Sequence, residues 1–209
     1  ADFTVANGTL SGLTTSDNIT WSAIFTPSAN VSDASNVITL AAAGVTDAAG
    51  NAVAGVTASA NYAVDTQRPS ATIVVADSVL AAGETSRVTI TFSEAVSGLT
   101  SDDLSVANGT LSALSSNDGG VTWAATLTPS ANITDTSNLI TLDNSGYTDA
   151  AGNAGIGTTA SNNYAIDGQR PTASIVVADT ALKAGQTSIV TITFSEAVTG
   201  LTVDDFSVA

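Results

Sequence analysis

The chain repeats itself at a spacing of about 102 residues, the length of a domain with its own core rather than of a solenoid unit. Gln67-Arg68-Pro69 returns as Gln169-Arg170-Pro171, and Ile73-Val74-Val75-Ala76-Asp77 as Ile175-Val176-Val177-Ala178-Asp179. Phe92-Ser93-Glu94-Ala95-Val96 returns as Phe194-Ser195-Glu196-Ala197-Val198, and the block from Thr46 to Asn51 returns at Thr148 to Asn153. Residues 69–170 therefore form one complete repeat. Residues 1–68 match its last two-thirds, and 171–209 match its first third. The chain reads as an internal excerpt of a tandem array, with head-to-tail neighbouring repeats as its first partners.

Composition removes several classes of function. Hydrophobic residues make up 44% and charged residues only 11%, so a packed core is expected rather than disorder. Four basic side chains against nineteen acidic ones leave a net charge of −15, which repels nucleic acid and anionic membrane surfaces. Cysteine and histidine are both absent, which excludes disulfides, thiolate chemistry and the usual zinc sites. No apolar run is long enough to insert into a membrane, and no signal peptide is visible.

Within the complete repeat, short strands alternate with turn signals. Residues 71–77 form an apolar strand, and Ala82-Gly83 turns the chain. Val88, Ile90 and Phe92 then share one face of a strand over 86–93, with Thr89, Thr91 and Ser93 on the other. A strand over 103–107 runs into Asn108-Gly109, which predicts a hairpin onto 110–115. Asn117-Asp118-Gly119-Gly120 turns into 121–128, where Val121, Trp123, Ala125 and Leu127 share a face. Ile140 and Leu142 mark another strand, and 162–167 closes the repeat. Seven short strands in about 100 residues predict an all-β chain of tandem immunoglobulin-like β-sandwiches. Trp21 and Trp123, on apolar faces, are expected to pack in the core rather than to stack sugars.

Alternating strand direction sorts the acids between two poles. One pole gathers Glu94, Asp102, Asp103, Asp118 and the loop of Asp149 and Asn153; the other gathers Asp77, Asp135 and Asp167. Asp65 thereby precedes Glu94, Asp102 and Asp103 across one linker, as Asp167 precedes Glu196, Asp204 and Asp205 across the next. Converging carboxylates repel unless a cation sits among them, and an all-oxygen donor set selects calcium. The plainer reading of any single acid is a solvated loop end. Neither an EF-hand nor a glycine-rich nonapeptide array is present, so any such site is assembled from distant segments. Gly152-Asn153-Ala154-Gly155-Ile156-Gly157 lacks the lysine and the strand–loop–helix context of a phosphate loop.

With these residues in view, the chain resembles the bacterial immunoglobulin-like repeats of giant calcium-dependent adhesins of the repeats-in-toxin type. It is most similar to the extender repeats of a marine ice-binding adhesin. The resemblance is carried by Asp-x-Gln-Arg-Pro (65–69 and 167–171), Val-Thr-Ile-Thr-Phe-Ser-Glu-Ala-Val (88–96 and its near copy at 190–198) and Ala-Asn-Gly-Thr-Leu-Ser (6–11 and 107–112). Thr-Asp-Ala-Ala-Gly-Asn (46–51 and 148–153) and Asn-Tyr-Ala-Val/Ile-Asp (61–65 and 163–167) complete it. It implies a spacer array at the bacterial cell surface, outside the cell, that holds a distal binding domain away and is stiffened by calcium at its junctions. It also implies Asp65, Glu94, Asp102, Asp103 and Asp149 as ligand candidates, with Asp47, Asp167, Glu196, Asp204 and Asp205 as their counterparts; Asp77 and Asn153 join them as oxygen donors at the poles.

A rival reading makes the module itself a binder of carbohydrate, protein or ice, which requires an exposed aromatic or a repeat-specific loop. An enzyme is not expected, since no nucleophile–base pair or carboxylate pocket is recognisable; a small-molecule substrate is not expected either. At the ends, 204–209 (Asp-Asp-Phe-Ser-Val-Ala) and 1–6 (Ala-Asp-Phe-Thr-Val-Ala) occupy the same positions of the repeat. In one straight molecule they cannot meet, so the tail of one copy is expected to complete the head of the next.

Overall fold

The computed structural model describes residues 2–41 and 44–207. Residues 1, 208 and 209 lie outside the described set, and with them part of the match between the two termini.

The chain is all-β. In the first repeat the strands are β1 (Phe3–Val5), β2 (Gly8–Thr15), β3 (Trp21–Pro27), β4 (Ser32–Asn36), β5 (Ile38–Leu40), β6 (Thr57–Ala58) and β7 (Tyr62–Asp65). The central repeat has β8 (Ala71–Val75), β9 (Val79–Ala81), β10 (Ser86–Phe92), β11 (Leu104–Val106), β12 (Gly109–Leu111) and β13 (Ser115–Ser116). It continues with β14 (Thr122–Pro129), β15 (Thr134–Asn138), β16 (Ile140–Asp143), β17 (Thr158–Ala160) and β18 (Tyr164–Asp167). Strands β19 (Ala173–Val177) and β20 (Val190–Phe194) follow.

In the central repeat one layer has the order β12-β14-β10-β8, with β13 also on β14. The other layer is two short sheets, β11-β16-β17 and β15-β18-β9, which succeed one another along the same two chain segments. The break falls at Leu139, just after a bulge between Asp135 and Asn138. Side chains repair the ladder there: Ile140 N–H donates to Ser161 Oγ at 3.0 Å and Asn138 N–H to Asn163 Oδ1 at 3.0 Å. Backbone donors lost at the irregularity are thus satisfied within the sandwich.

The alternation read from 86–93 is what β10 does. Val88 and Ile90 are fully buried and Phe92 is nearly so, while Arg87 and Thr91 face solvent. Leu127 of the neighbouring β14 lies in the same layer, and Ile140, Leu142, Tyr164 and Ile166 of the other layer close the core opposite them. Phe92 meets Tyr147 edge to face with ring centroids 4.6 Å apart. Leu80 is completely buried on β9, a short strand that runs parallel to β18 and that periodicity does not reveal.

The hairpin expected at Asn108-Gly109 does not form. β11 pairs with β16 and β12 with β14, so the chain crosses there from one layer to the other. A two-residue hairpin turn of the expected kind needs positive φ at both central residues; Asn108 has φ +50, but Gly109 does not share it. The glycine serves another need, since a Cβ on it would lie 2.9 Å from the Thr128 carbonyl oxygen. Asn108 is held by side-chain bonds, donating to Asp135 Oδ2 at 2.9 Å and Asn138 Oδ1 at 2.7 Å. By contrast, the turn at 117–120 is a true hairpin between β13 and β14, with Asp118 Oδ1 accepting the N–H groups of Val121 and Thr122.

Candidate metal centre

Three segments are brought together at the junction before the central repeat. Glu94 stands two residues beyond the end of β10. Three residues further on, Ser97 and Thr148 exchange both backbone bonds, at 2.8 and 3.0 Å. This draws the segment carrying Glu94 against the loop carrying Asp149.

That loop is closed by its own aspartate. Asp149 Oδ1 accepts the N–H of Ala151 at 2.9 Å and of Asn153 at 2.8 Å, and Oδ2 accepts the Asn153 side-chain amide at 2.8 Å. Gly152 takes φ +89, a conformation that L side chains rarely adopt. The copy around Asp47 closes with the same bonds from Ala49 and Asn51, so the loop geometry is locally encoded.

Asp65 arrives from the other side as the last residue of β7, opposite Ser32 of β4. Strand pairing thus places it in the preceding sandwich. One carboxylate oxygen from each of Asp65, Glu94 and Asp149 lies within 4.8 Å of the others. Asp149 is only 3% exposed. Burial pushes the Glu94 carboxyl above its ordinary range, and the charges of Asp149 and Asp65 push it further in the same direction. Burial also acts upward on Asp149, but the amide of Asn153 and the N–H groups of Asn153, Ala151 and Gly152 outweigh it and hold this carboxyl low. Asp149 therefore stays ionised while Glu94 carries the repulsion. Three hard oxygen donors of net negative charge in partly desolvated surroundings fit a divalent cation of the oxygen-seeking kind.

The other candidate acids stand elsewhere. Asp103 Oδ2 accepts the backbone N–H and hydroxyl of Thr100, capping the short 3-10 turn Ser101–Asp103, and Asp205 does the same for Thr202. Asp102 and Asp204 are exposed on those turns. Asp77 Oδ1 accepts the N–H of Val79, fixing the approach to β9. Asp47 is exposed in its loop. Asp167 and Glu196 are the one-period counterparts of Asp65 and Glu94, and Asp167 Oδ1 accepts the Thr134 hydroxyl at 3.0 Å. Arg68 was not singled out from sequence, yet its Nη1 donates to the Ala154 carbonyl at 2.6 Å across the same junction. Its place in the repeated Gln-Arg-Pro was the available signal.

Paired β-layers repeated along one chain, joined where acids from two sandwiches converge, define a tandem immunoglobulin-like protein. The model of the bacterial Ig-like domain family matches residues 1–64, 65–166 and 167–209, and the chain belongs to that family. Its second match begins at Asp65 and so contains all three clustered carboxylates. Among solved structures, the chain is similar to the Escherichia coli adhesin FdeC, described as broadly conserved and as eliciting protection against urinary tract infections. That similarity has 17% identity and a TM-score of 0.37, and covers 94% of this chain and 62% of the other. The chain thus spans under two-thirds of that structure. No curated protein matches the chain. Among the described residues, no helix is long and apolar enough to cross a membrane.

Proposed function

We propose that the chain is a run of extender repeats from a bacterial cell-surface adhesin, stiffened by calcium at the repeat junctions and serving to hold a distal binding domain away from the cell. The observation that carries this reading is the convergence of Asp65, Glu94 and Asp149 at the junction. Strand pairing gives Asp65 to one sandwich and Glu94 and Asp149 to the next, so a cation held by all three ties two repeats together. Bound calcium supplies charge neutralisation and a cross-link. The chain's own residues supply the rest: Asn153 and the loop amides orient Asp149, and Arg68 clasps the Ala154 carbonyl beside it. Tandem membership of the bacterial Ig-like family supports a spacer role.

Thermal melting and small-angle scattering of the 209-residue chain, with calcium and with chelator, test the proposal. At calcium a hundredfold above its dissociation constant the stabilisation is about 2.7 kcal/mol. Chelation should lower the melting temperature and broaden the distribution of interrepeat angles. Magnesium should substitute poorly, because it demands tight octahedral geometry. Identical melting and scattering in calcium and chelator would rule the proposal out.

A further inference from the structure

We propose that Asn108 is a covalent modification site that the folded repeat keeps shut and that unfolding opens. Its side-chain amide is lost to attack by the Gly109 nitrogen, and the acid produced stops the layer crossing from re-forming. The chain contains Asn-Gly at two places, Asn7-Gly8 and Asn108-Gly109, at equivalent positions of successive repeats. In an unfolded chain this dipeptide is prone to react, because glycine puts no side chain in the way of its own amide nitrogen. That nitrogen attacks Asn108 Cγ. The N–Cγ bond forms, the Cγ–Nδ2 bond breaks, and Nδ2 leaves as ammonia with the amide proton. Water then opens the five-membered imide at either carbonyl. The product is aspartate, or an isoaspartate whose main chain is one methylene longer.

The packing makes both residues hard to replace. Asn108 sits at φ +50, a conformation that asparagine tolerates better than most L residues. A Cβ on Gly109 would lie 2.9 Å from the Thr128 carbonyl oxygen and 3.0 Å from the Leu127 side chain. The same packing holds the reacting groups in place. Asn108 is half-buried, and Nδ2 donates to Asp135 Oδ2 at 2.9 Å and to Asn138 Oδ1 at 2.7 Å. The Asn108 carbonyl accepts the Ser130 N–H at 2.8 Å, which pins the peptide that carries the Gly109 nitrogen, and β12 lies on β14 from Gly109 onward. The Ala107 carbonyl just before it takes the Tyr164 hydroxyl. Asn7 is held by the same set, through Asp33, Asn36, Ser28 and Tyr62. These bonds must break before the nitrogen reaches Cγ, so the reaction waits on opening of the crossing.

The product does not fit the cradle that held the amide. With Nδ2 replaced by oxygen, a carboxylate faces Asp135 Oδ2 and Asn138 Oδ1, two acceptors with no donor between them. The two carboxylates repel in partly buried surroundings that screen them poorly. The disturbance spreads to the bulge of β15, because Asp135 Oδ1 accepts the Ser137 N–H and the Asn138 amide donates to the Asp135 and Tyr164 carbonyls. The isoaspartate product adds a methylene to the main chain where β12 begins. An unfolding event that lasts long enough for the chemistry therefore becomes permanent.

The 209-residue chain is incubated in guanidinium chloride and, in parallel, in native buffer at the same mildly alkaline pH. Peptide mapping by mass spectrometry counts acid at position 108 separately from position 7. With an unfolded fraction of about 10⁻³ or less, conversion of Asn108 in native buffer should be at least about a hundredfold slower than in denaturant. After refolding, the share of chains that regain the central repeat's melting transition should fall in step with conversion. Asn108→Asp reproduces the shorter product and should melt lower than the unaltered chain. Adding Asp135→Asn gives the new carboxylate a donor and should recover most of that loss in a double-mutant cycle. Conversion as fast in native buffer as in denaturant overturns the proposal. So does a converted chain that refolds with unaltered melting, or a failure of Asp135→Asn to rescue Asn108→Asp.

Discussion

The Asn153 side-chain amide donates to the main-chain oxygen of Asp65 at 3.2 Å, across a sequence separation of 88, and to Asp149 Oδ2 at 2.8 Å. One side chain therefore holds both the strand that ends the first sandwich and the aspartate that closes the facing loop. Asn153→Ala should widen the angular distribution of the junction in scattering even without cation. The loss in global stability should stay near a single hydrogen bond, about 0.5–1.5 kcal/mol. A change in melting with no change in scattering would assign Asn153 to its loop alone.

Glu94 gives a prediction with two opposite signs. Its carboxyl is raised above 4.5, first by burial and then by Asp149 and Asp65. A carboxyl raised on folding favours the native state when protonated. That contribution is complete below 4.5 and is lost as pH climbs through the raised folded value. In chelator at neutral pH, Glu94→Gln should therefore raise the melting temperature, because it removes a repelled charge. In calcium the same variant should lower it and weaken ion affinity. Calcium titration of the unaltered protein should show affinity falling as pH drops into the Glu94 window.

Asp149 runs the other way. Despite burial, its hydrogen bonds from Asn153, Ala151 and Gly152 hold the carboxyl below 3.8. Its contribution to stability is thus present above 3.8 and lost as pH falls toward the folded value. Asp149→Ala should cost about 1–3 kcal/mol by denaturant unfolding even in chelator, because three partly buried hydrogen bonds that close the loop are lost. Asp65→Ala should leave the central repeat's unfolding nearly unchanged and act on ion affinity and the interrepeat angle. Equal stability losses from the two variants would contradict this division.

Leu80→Ala should cost about 2–5 kcal/mol, since the side chain is fully buried and the site is enclosed by its own sandwich. Trp123→Ala should cost less than a fully buried tryptophan does. The ring packs against the core but remains partly exposed, with its indole N–H on the Gly120 carbonyl at 3.1 Å. Neither variant should alter calcium affinity. Unfolding titrations paired with calorimetry check both.

Asn138 is 1% exposed; its Oδ1 accepts from Asn108, and its amide donates to the Asp135 and Tyr164 carbonyls at 3.0 and 3.1 Å. Asn138→Ala leaves these groups without partners, at a cost of about 1–3 kcal/mol. Asn36 holds the equivalent place in the first repeat, with Asn7, Asp33 and Tyr62. Destabilisation of the central repeat below about 0.5 kcal/mol would show that water replaces the network.

The repeat, the all-β class and the core face of β10 were legible in sequence, because they rest on period and on alternation that any short window displays. Asp149 was legible as well, since Thr-Asp-Ala-Ala-Gly-Asn folds its loop through bonds within four residues. What periodicity missed depends on partners far away. β9 is a strand because β18 lies beside it, and the equivalent residues 181–183 form none. Asn108-Gly109 has the composition of a hairpin, but Asp135 and Asn138 take up its side chain and the chain crosses layers instead. The sequence by itself determined which acids line each repeat; only the tertiary structure decided that Asp65, Glu94 and Asp149 meet while Asp103 is used up on Thr100. The reason is physical: a local cap is encoded by neighbours in the chain, whereas convergence across a junction is set by how two sandwiches pack.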